Sequence, residues 1–564
     1  LHRQGVRTRI GGKVAVQASD TRQQFDIALD DRGSSRLALK ADGAVDGSQL
    51  TLASARLAAR GAEATLRGTL ALDDTLAFKA EGRLQQFDPF AFVKAPVAKL
   101  SARFDAAGRL RPHPDLQAAV DIEPSVLAGE PLAGRARARL QGQRLSGVDI
   151  ALDWGGNTLT AQGAFGGSKS SDVLEWALDA RRLGALKSFT GQTLAGSLSG
   201  SGRLEGTLAA PNGRMTLAAR ALTLGSLGSV ASADLAAELA PGADGRMTLS
   251  LDAADLRASQ LPQPVERLKT DLTGTRAAHA LTLDVLAAAP PAERGDTPVK
   301  PSLKLAARGA LSAGSDATGP AWSGTLDRLA LVLSSELSAT LGAPARLAAS
   351  PQAVTLEGAG FALTGGGELT LARTAWTPER IEAAGRARGV PLRLVWRDRA
   401  AGIAVRAPLK LGADWSLSAL LAGEERVEGT LALFREAGDV VVSGDTRAEL
   451  ALSAARVDAR LAGRGANVQA VLAGPDIGEM KAEIALPLRR EGSLWQPDLD
   501  APVGGKATLA VPSLAWIGRT LRLDMSTAGR MNGDVTLAGT LRTPRLSGRV
   551  DGDALAFALV DAGV

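Results

Sequence analysis

The chain has 564 residues, 45% hydrophobic but only 3% aromatic, with 64 Gly, 26 Pro, no Cys and no Tyr. The lack of Cys excludes disulfides, thiolate zinc sites and cysteine nucleophiles, and it is compatible with an oxidising compartment such as the bacterial periplasm. Charge is nearly balanced, 65 Lys and Arg against 60 Asp and Glu, with the two signs interleaved; that pattern is a solvated mixed-charge face, and it excludes a nucleic-acid arm or an acidic tail.

Large aromatic rings dominate most cores. Here the apolar mass is Leu, Ala and Val, which predicts a thin, repetitive interior. No stretch reaches the ~18 uncharged apolar residues of a membrane-spanning helix. Leu1 to Lys13 carry charge and lack an apolar h-region, so they do not read as a signal peptide. The chain starts with Leu, and we expect a middle piece of a longer protein with its targeting segment upstream.

Taken in chain order, the dominant signal is alternation of apolar and polar residues with period two. It begins at Phe25, Ile27 and Leu29 and continues at Leu37 and Leu39. Met247, Leu249 and Leu251 alternate with Arg246, Thr248, Ser250 and Asp252. Leu281, Leu283 and Val285 follow, then Leu303 and Leu305, then Val390, Leu392, Leu394 and Trp396. Ile484, Leu486 and Leu488, Leu521, Leu523 and Met525, and Val535 with Leu537 complete the series. Alternation places one face in an apolar space and the other in water.

Propensity argues the other way, because Ala, Leu and Arg are good helix formers. Gly and Pro decide the matter: a breaker about every six residues leaves few runs long enough for a helix. The longer runs Ser168–Leu183, Thr325–Leu341 and Asp445–Ala462 still alternate and are expected to be strands. A short helix is expected at Leu183–Ser188. A strand plus turn of about twelve to fourteen residues gives roughly forty strands. Gly-Thr-Leu recurs as a strand opening at Gly68, Gly206, Gly324, Gly429 and Gly539, as in repeats stacked along one axis. The Pro-rich stretch Ala289–Pro301 is the best linker candidate and is read as a long loop between strands.

Two segments carry a more specific signal. Gly202–Pro211 reads GRLEGTLAAP and Gly533–Gly548 reads GDVTLAGTLRTPRLSG. A glycine, a short strand, Gly-Thr-Leu and then Pro resembles the repeated signature of the TamB family, the inner-membrane subunit of the translocation and assembly module. Gly82–Phe90 (GRLQQFDPF), Ile122–Gly134, Leu152–Gly163 and Leu174–Leu186 are similar to further elements of that family, in order.

The resemblance implies an all-β fold: an elongated β-taco, or open β-solenoid groove, with an apolar interior. Residues 1–504 would be the repetitive groove and 505–564 the start of the family's C-terminal domain, in one continuous groove overall. It further implies an AsmA-like bridge in the periplasm of a Gram-negative bacterium, anchored in the inner membrane in the full-length protein. Such a bridge conducts phospholipids between inner and outer membrane and supports outer-membrane protein assembly and secretion with an outer-membrane TamA-type barrel. The implied partners are phospholipids, that barrel and the inner membrane, with no nucleic acid.

The candidate lining of the groove is Ile27, Leu29, Leu37, Leu39, Met247, Leu249, Leu251, Leu281, Leu283, Leu303, Leu305, Leu392, Leu394, Leu486, Leu488, Val535 and Leu537. Periodicity alone leaves a closed β-sandwich core equally open; the resemblance favours the groove. No catalytic, metal or cofactor site is expected. His2, His113 and His279 are far apart and offer no metal-ligand spacing. Gly200-Ser201-Gly202 and Gly365-Gly366-Gly367 lack the Lys-Ser/Thr of a phosphate loop. The alternative is a secreted structural or adhesive β-solenoid of the autotransporter-passenger kind, although such passengers lean on Asn, Ser and Thr ladders and Asn is scarce here. The third class, an enzyme on a β-scaffold, finds no constellation.

Overall fold

The structure is a computed structural model. It describes residues 10–559 except 32–36, 60, 90–95, 168–171, 188–190, 209, 262, 291–297, 313–318, 399–402, 424, 444–446, 492–493 and 516–524. His2, Leu521 and Leu523 lie outside the described residues.

The fold is all-β, with thirty-six strands among the described residues and short 3-10 turns at Leu183–Leu186 and Thr364–Gly366. The three runs with helical propensity contain strands: Val173–Ala180, Ala321–Val332 with Ser338–Leu341, and Arg447–Glu449 with Ala454–Gly463. Packing of the alternating face outweighs intrinsic propensity. The short helix expected at Leu183–Ser188 opens as a 3-10 turn at Leu183–Leu186, with Leu183 buried, and Lys187 continues in helical conformation; Ser188 lies outside the described residues.

The chain divides into two units, Leu1–Pro290 and Pro291–Val564, at a point inside the Pro-rich stretch read as an inter-strand loop. The first unit is an antiparallel meander from Ile10–Ala18 to His279–Ala287, in which each strand pairs with the next in sequence. Tight turns set its register. Trp154 pairs with Asn157 across Gly155 and Gly156, whose φ of 60° and 82° suit the left-handed two-residue turn that matches strand twist.

The second unit is a meander with branches. Ala321–Val332 pairs with both Ser338–Leu341 and Ala345–Ser350, two halves of one interrupted strand. Ile403–Leu420 pairs with Arg426–Gly438 over its inner half and with Val441–Ser443 near its outer end. Position 505 lies in the strand Gly504–Val511, which pairs on both sides, so strand pairing continues through the expected domain start.

Lines of irregular pairing crease each sheet. In the second unit the crease passes a register shift at Ala306/Ala307, the break between Leu341 and Ala345, and Gly358 at φ 67°. Ala307, Leu326, Leu341, Ala345, Ala359 and Phe361 form a buried cluster there, with Ala359 0% exposed. In the first unit a similar line crosses Gly196, Ala221, Asp255 and Glu266, where pairing shifts or skips a residue. Ala219, Ala253 and Val265 are buried beside it. Bulges bend strands. At a bend the two arms of one face approach each other, and small side chains fit between them, which accounts for the many alanines.

Candidate functional site

Residues directly opposite each other in an antiparallel ladder lie on the same face of the sheet, so the register assigns faces. Leu249 pairs with Ala237 on one side and Leu272 on the other. Leu272 pairs with Leu281, and Leu251 reaches Leu283 through Thr270. Followed in the other direction, the same face passes Leu217, Leu178, Leu152, Val120 and Phe104 and arrives at Leu39, Leu29, Ile27 and Val14. Nine of the proposed lining residues, Ile27, Leu29, Leu37, Leu39, Met247, Leu249, Leu251, Leu281 and Leu283, therefore share one face of the first unit. The exceptions on it include Thr270 and His279. His279 is buried and its Nδ1 lies 2.9 Å from the Thr275 carbonyl oxygen.

The second unit repeats the arrangement. Leu303 and Leu305 pair with Leu331 and Leu329. Leu392 and Leu394 pair with Leu409 and Ala407. Leu486 pairs with Ala466, Leu488 with Pro497, Val535 with Ala507 and Leu537 with Gly505. These eight also lie on one face. All seventeen are half-buried except Leu394, which is 56% exposed.

Among the described residues no second layer closes over these faces: in a closed sandwich the side chains between the layers would be buried, and none of the seventeen is. The apolar faces are the walls of open grooves, and the closed-sandwich alternative fails on burial.

The apolar face holds a hollow of about 640 Å³ in the second unit, lined by Leu411, Leu433, Val457, Leu472, Met480 and Leu509 together with Val535. Of these, the sequence singled out Val535 alone. The others follow the same alternation, for instance Met480 and Ala482 running into Ile484, and scanning every strand for that beat finds them. A smaller apolar hollow of about 220 Å³ in the first unit is lined by Leu50, Leu52, Leu66, Leu70 and Phe78. A further hollow of about 800 Å³ also belongs to the first unit, and most of its lining residues are polar, including Thr160, Gln162, Glu175, Arg203, Thr248 and Ser250. Curvature toward the polar side had no signal in the sequence.

The opposite face carries cross-strand ion pairs. The strand Glu130–Gln141 turns Arg135, Arg137 and Arg139 to it. Arg135 donates to both carboxylate oxygens of Asp149 at 2.9 and 3.1 Å. Arg137 reaches Asp121 at 2.9 Å and Arg139 reaches Asp115 at 3.1 Å. Hydrogen bonds from Arg139 and Arg135 hold the Asp115 and Asp149 carboxyls below their usual range. Exposed pairs of this kind add little stability each; their consequence is that a one-residue slip would drive guanidinium groups into the apolar groove.

Among the described residues, no group of three or more His, Cys, Asp or Glu is placed to hold a metal ion. No helix of the described chain is long and apolar enough to cross a membrane.

Fold and face together define the class: an all-β protein whose antiparallel sheets form open apolar grooves. A family model described as TamB, N-terminal domain, matches residues 12–348. That is more than half of the chain, and the chain belongs to the TamB family. Residues 349–564, including the segment from 505 onward, lie outside the matched region. No curated protein and no solved structure matches the chain.

Proposed function

We propose that the chain is part of a periplasmic bridge that conducts phospholipids between the inner and outer membranes and carries out no chemistry. The observation that carries this reading is the apolar face itself, kept in register across every strand of the first unit and left uncovered. Each acyl CH₂ held out of water is worth ~0.8 kcal/mol, so a wall of Leu, Ile, Val and Ala lets an acyl chain slide without leaving hydrocarbon. The headgroup would ride at the groove mouth. The full-length protein would be anchored in the inner membrane and would work with an outer-membrane TamA-type barrel, on which assembly of outer-membrane proteins would depend.

Site-specific photo-crosslinking in cells tests this. A crosslinker at Leu249 or Leu251 should capture phospholipid, and one at Thr248 or Ser250 should not. Equal capture at both parities would remove the groove as the lipid path.

A further inference from the structure

The two longest strands among the described residues are consecutive: Arg380–Asp398, of 19 residues, and Ile403–Leu420, of 18. The first outruns its other neighbour, whereas the second is also paired near its outer end, with Val441–Ser443. Gly367–Trp376 pairs with the first only up to Arg388, and Arg426–Gly438 pairs with the second only from Leu409 inward. From Val390 to Trp396 the first strand pairs with its hairpin partner, and at ~3.3 Å per residue this stretch is about 20 Å long.

The outer part of the first strand exposes apolar side chains on both faces. Leu394 and Trp396 are 56% and 57% exposed on the groove face, and Val395, on the reverse face, is 59% exposed. Elsewhere the reverse face is the polar one. Charge is concentrated here as well: Arg393, Arg406 and Lys410 are exposed along the two strands between Val390 and Leu411, with no acidic side chain among the described ones there. The chain as a whole is close to neutral. Pro391 removes a backbone donor from the hairpin's outer edge, which discourages pairing with a strand of another molecule.

We propose that this hairpin docks on a lipid bilayer that carries anionic headgroups. Trp and branched aliphatic side chains exposed on both faces of a strand at a sheet edge match the boundary between headgroups and acyl chains, and the flanking Arg393 and Arg406 match anionic phosphates. On the lipid-groove reading, lipid leaving the bilayer there would meet the row Trp396, Leu394, Leu392, Val390 and Leu411, the last of which lines the apolar hollow.

The chain has no Cys, so Val395→Cys provides a single site for the environment-sensitive dye NBD in the 564-residue chain. Vesicles of phosphatidylcholine containing phosphatidylglycerol should raise and blue-shift the NBD emission, and brominated acyl chains should quench it. Pure phosphatidylcholine vesicles or added salt should weaken binding about tenfold. Leu394→Asp with Trp396→Asp should abolish it, whereas Leu249→Arg, which targets the groove, should leave it unchanged; docking and conduction thus fail separately. The proposal is overturned if the label never senses acyl chains, if both vesicle types bind equally, or if the label is buried by self-association of the lipid-free chain.

Discussion

The ring of Trp176 lies over Gly202, its direct partner on the next strand: a Cβ added at Gly202 would come 2.7 Å from the indole Nε1. The same relationship joins Phe25 to Gly43, Phe104 to Gly82 and Trp415 to Gly385. An aromatic ring that covers a glycine lies flat on the sheet. On the groove faces this removes the bulk that would otherwise stand in the channel. Phe434 over Gly412 is the counterpart on the polar face, with the Arg388 and Arg456 guanidinium groups 5.1 and 5.5 Å from its ring centre.

Gly202→Ala should therefore destabilise the chain by about 1–3 kcal/mol through overpacking. Much of that loss should disappear in the Trp176→Leu background, because the two sites are in contact and their effects do not add. Thermal melts of the four chains in this cycle measure the coupling. Purely additive losses would mean that the ring does not occupy the space above Gly202.

The crease of the second unit should tolerate neither a larger nor a smaller side chain. Ala359 is fully buried and packs in the cluster with Leu326, which is 3% exposed. Leu326→Ala should cost about 2–5 kcal/mol, and Ala359→Leu should cost at least as much as a typical overpacked core, about 1–3 kcal/mol. Leu303→Ala, on the open wall away from the crease, should cost less than Leu326→Ala. Denaturant melts of the three variants rank them, and equal losses would count against the crease as the point where the sheet is fixed.

Much of this was legible in the sequence because period two is a strong signal and Gly and Pro suppress helices. All seventeen proposed lining residues fall on a common face within their unit, including pairs as direct as Leu29 with Leu39. The crease was not legible. It depends on bulges such as Ala221 at φ 47° and Asp255 at φ 51°; alanine gives no hint of a left-handed conformation, and Asp, although enriched there, is common throughout these strands. The lining of the 640 Å³ hollow was missed because Leu433, Val457 and Leu472 sit one to a strand, and only the register brings them together. The 800 Å³ polar hollow was missed for a related reason: curvature is a property of many strands at once.

Acid should destabilise the fold. Asp115, Asp149, Asp327, Asp458 and Asp500 all titrate below the ordinary range, held there first by hydrogen bonds from Arg139, Arg135, Arg308, Arg456 and Arg542. A carboxyl whose pKa is depressed in the folded state contributes stability above its unfolded value, about 3.9, and loses it as pH falls through the folded value. The melting temperature should be level near neutrality and fall below about pH 4. Asp149→Asn should remove part of that fall. A melting temperature that holds steady down to about pH 2 would show that these pairs contribute nothing to stability.

The parity of Arg246–Ala258 gives the sharpest test of function. Leu249 lies on the groove face between Ala237 and Leu272, whereas the Ser250 hydroxyl donates to Asp271 at 3.1 Å on the other. Leu249 is only half-buried and has no covering layer, so an arginine there can extend its head toward water along the wall. Leu249→Arg should therefore fold, with a melting temperature within a few degrees of the parent for a loss of about 1 kcal/mol. It places a charge in the acyl path, where an unpaired charge is expensive and draws in water. Because a groove is passed one cross-section at a time, a single blocked cross-section should stop flow along it. Phospholipid recovered with the purified protein should drop, and the full-length protein carrying Leu249→Arg should fail to maintain the outer-membrane barrier. Ser250→Arg, one residue away, should be silent in both assays. If Leu249→Arg folds, retains its lipid and supports the barrier, the apolar face is not a conduit. If it unfolds outright, the face is the core of a closed structure and not the wall of an open one.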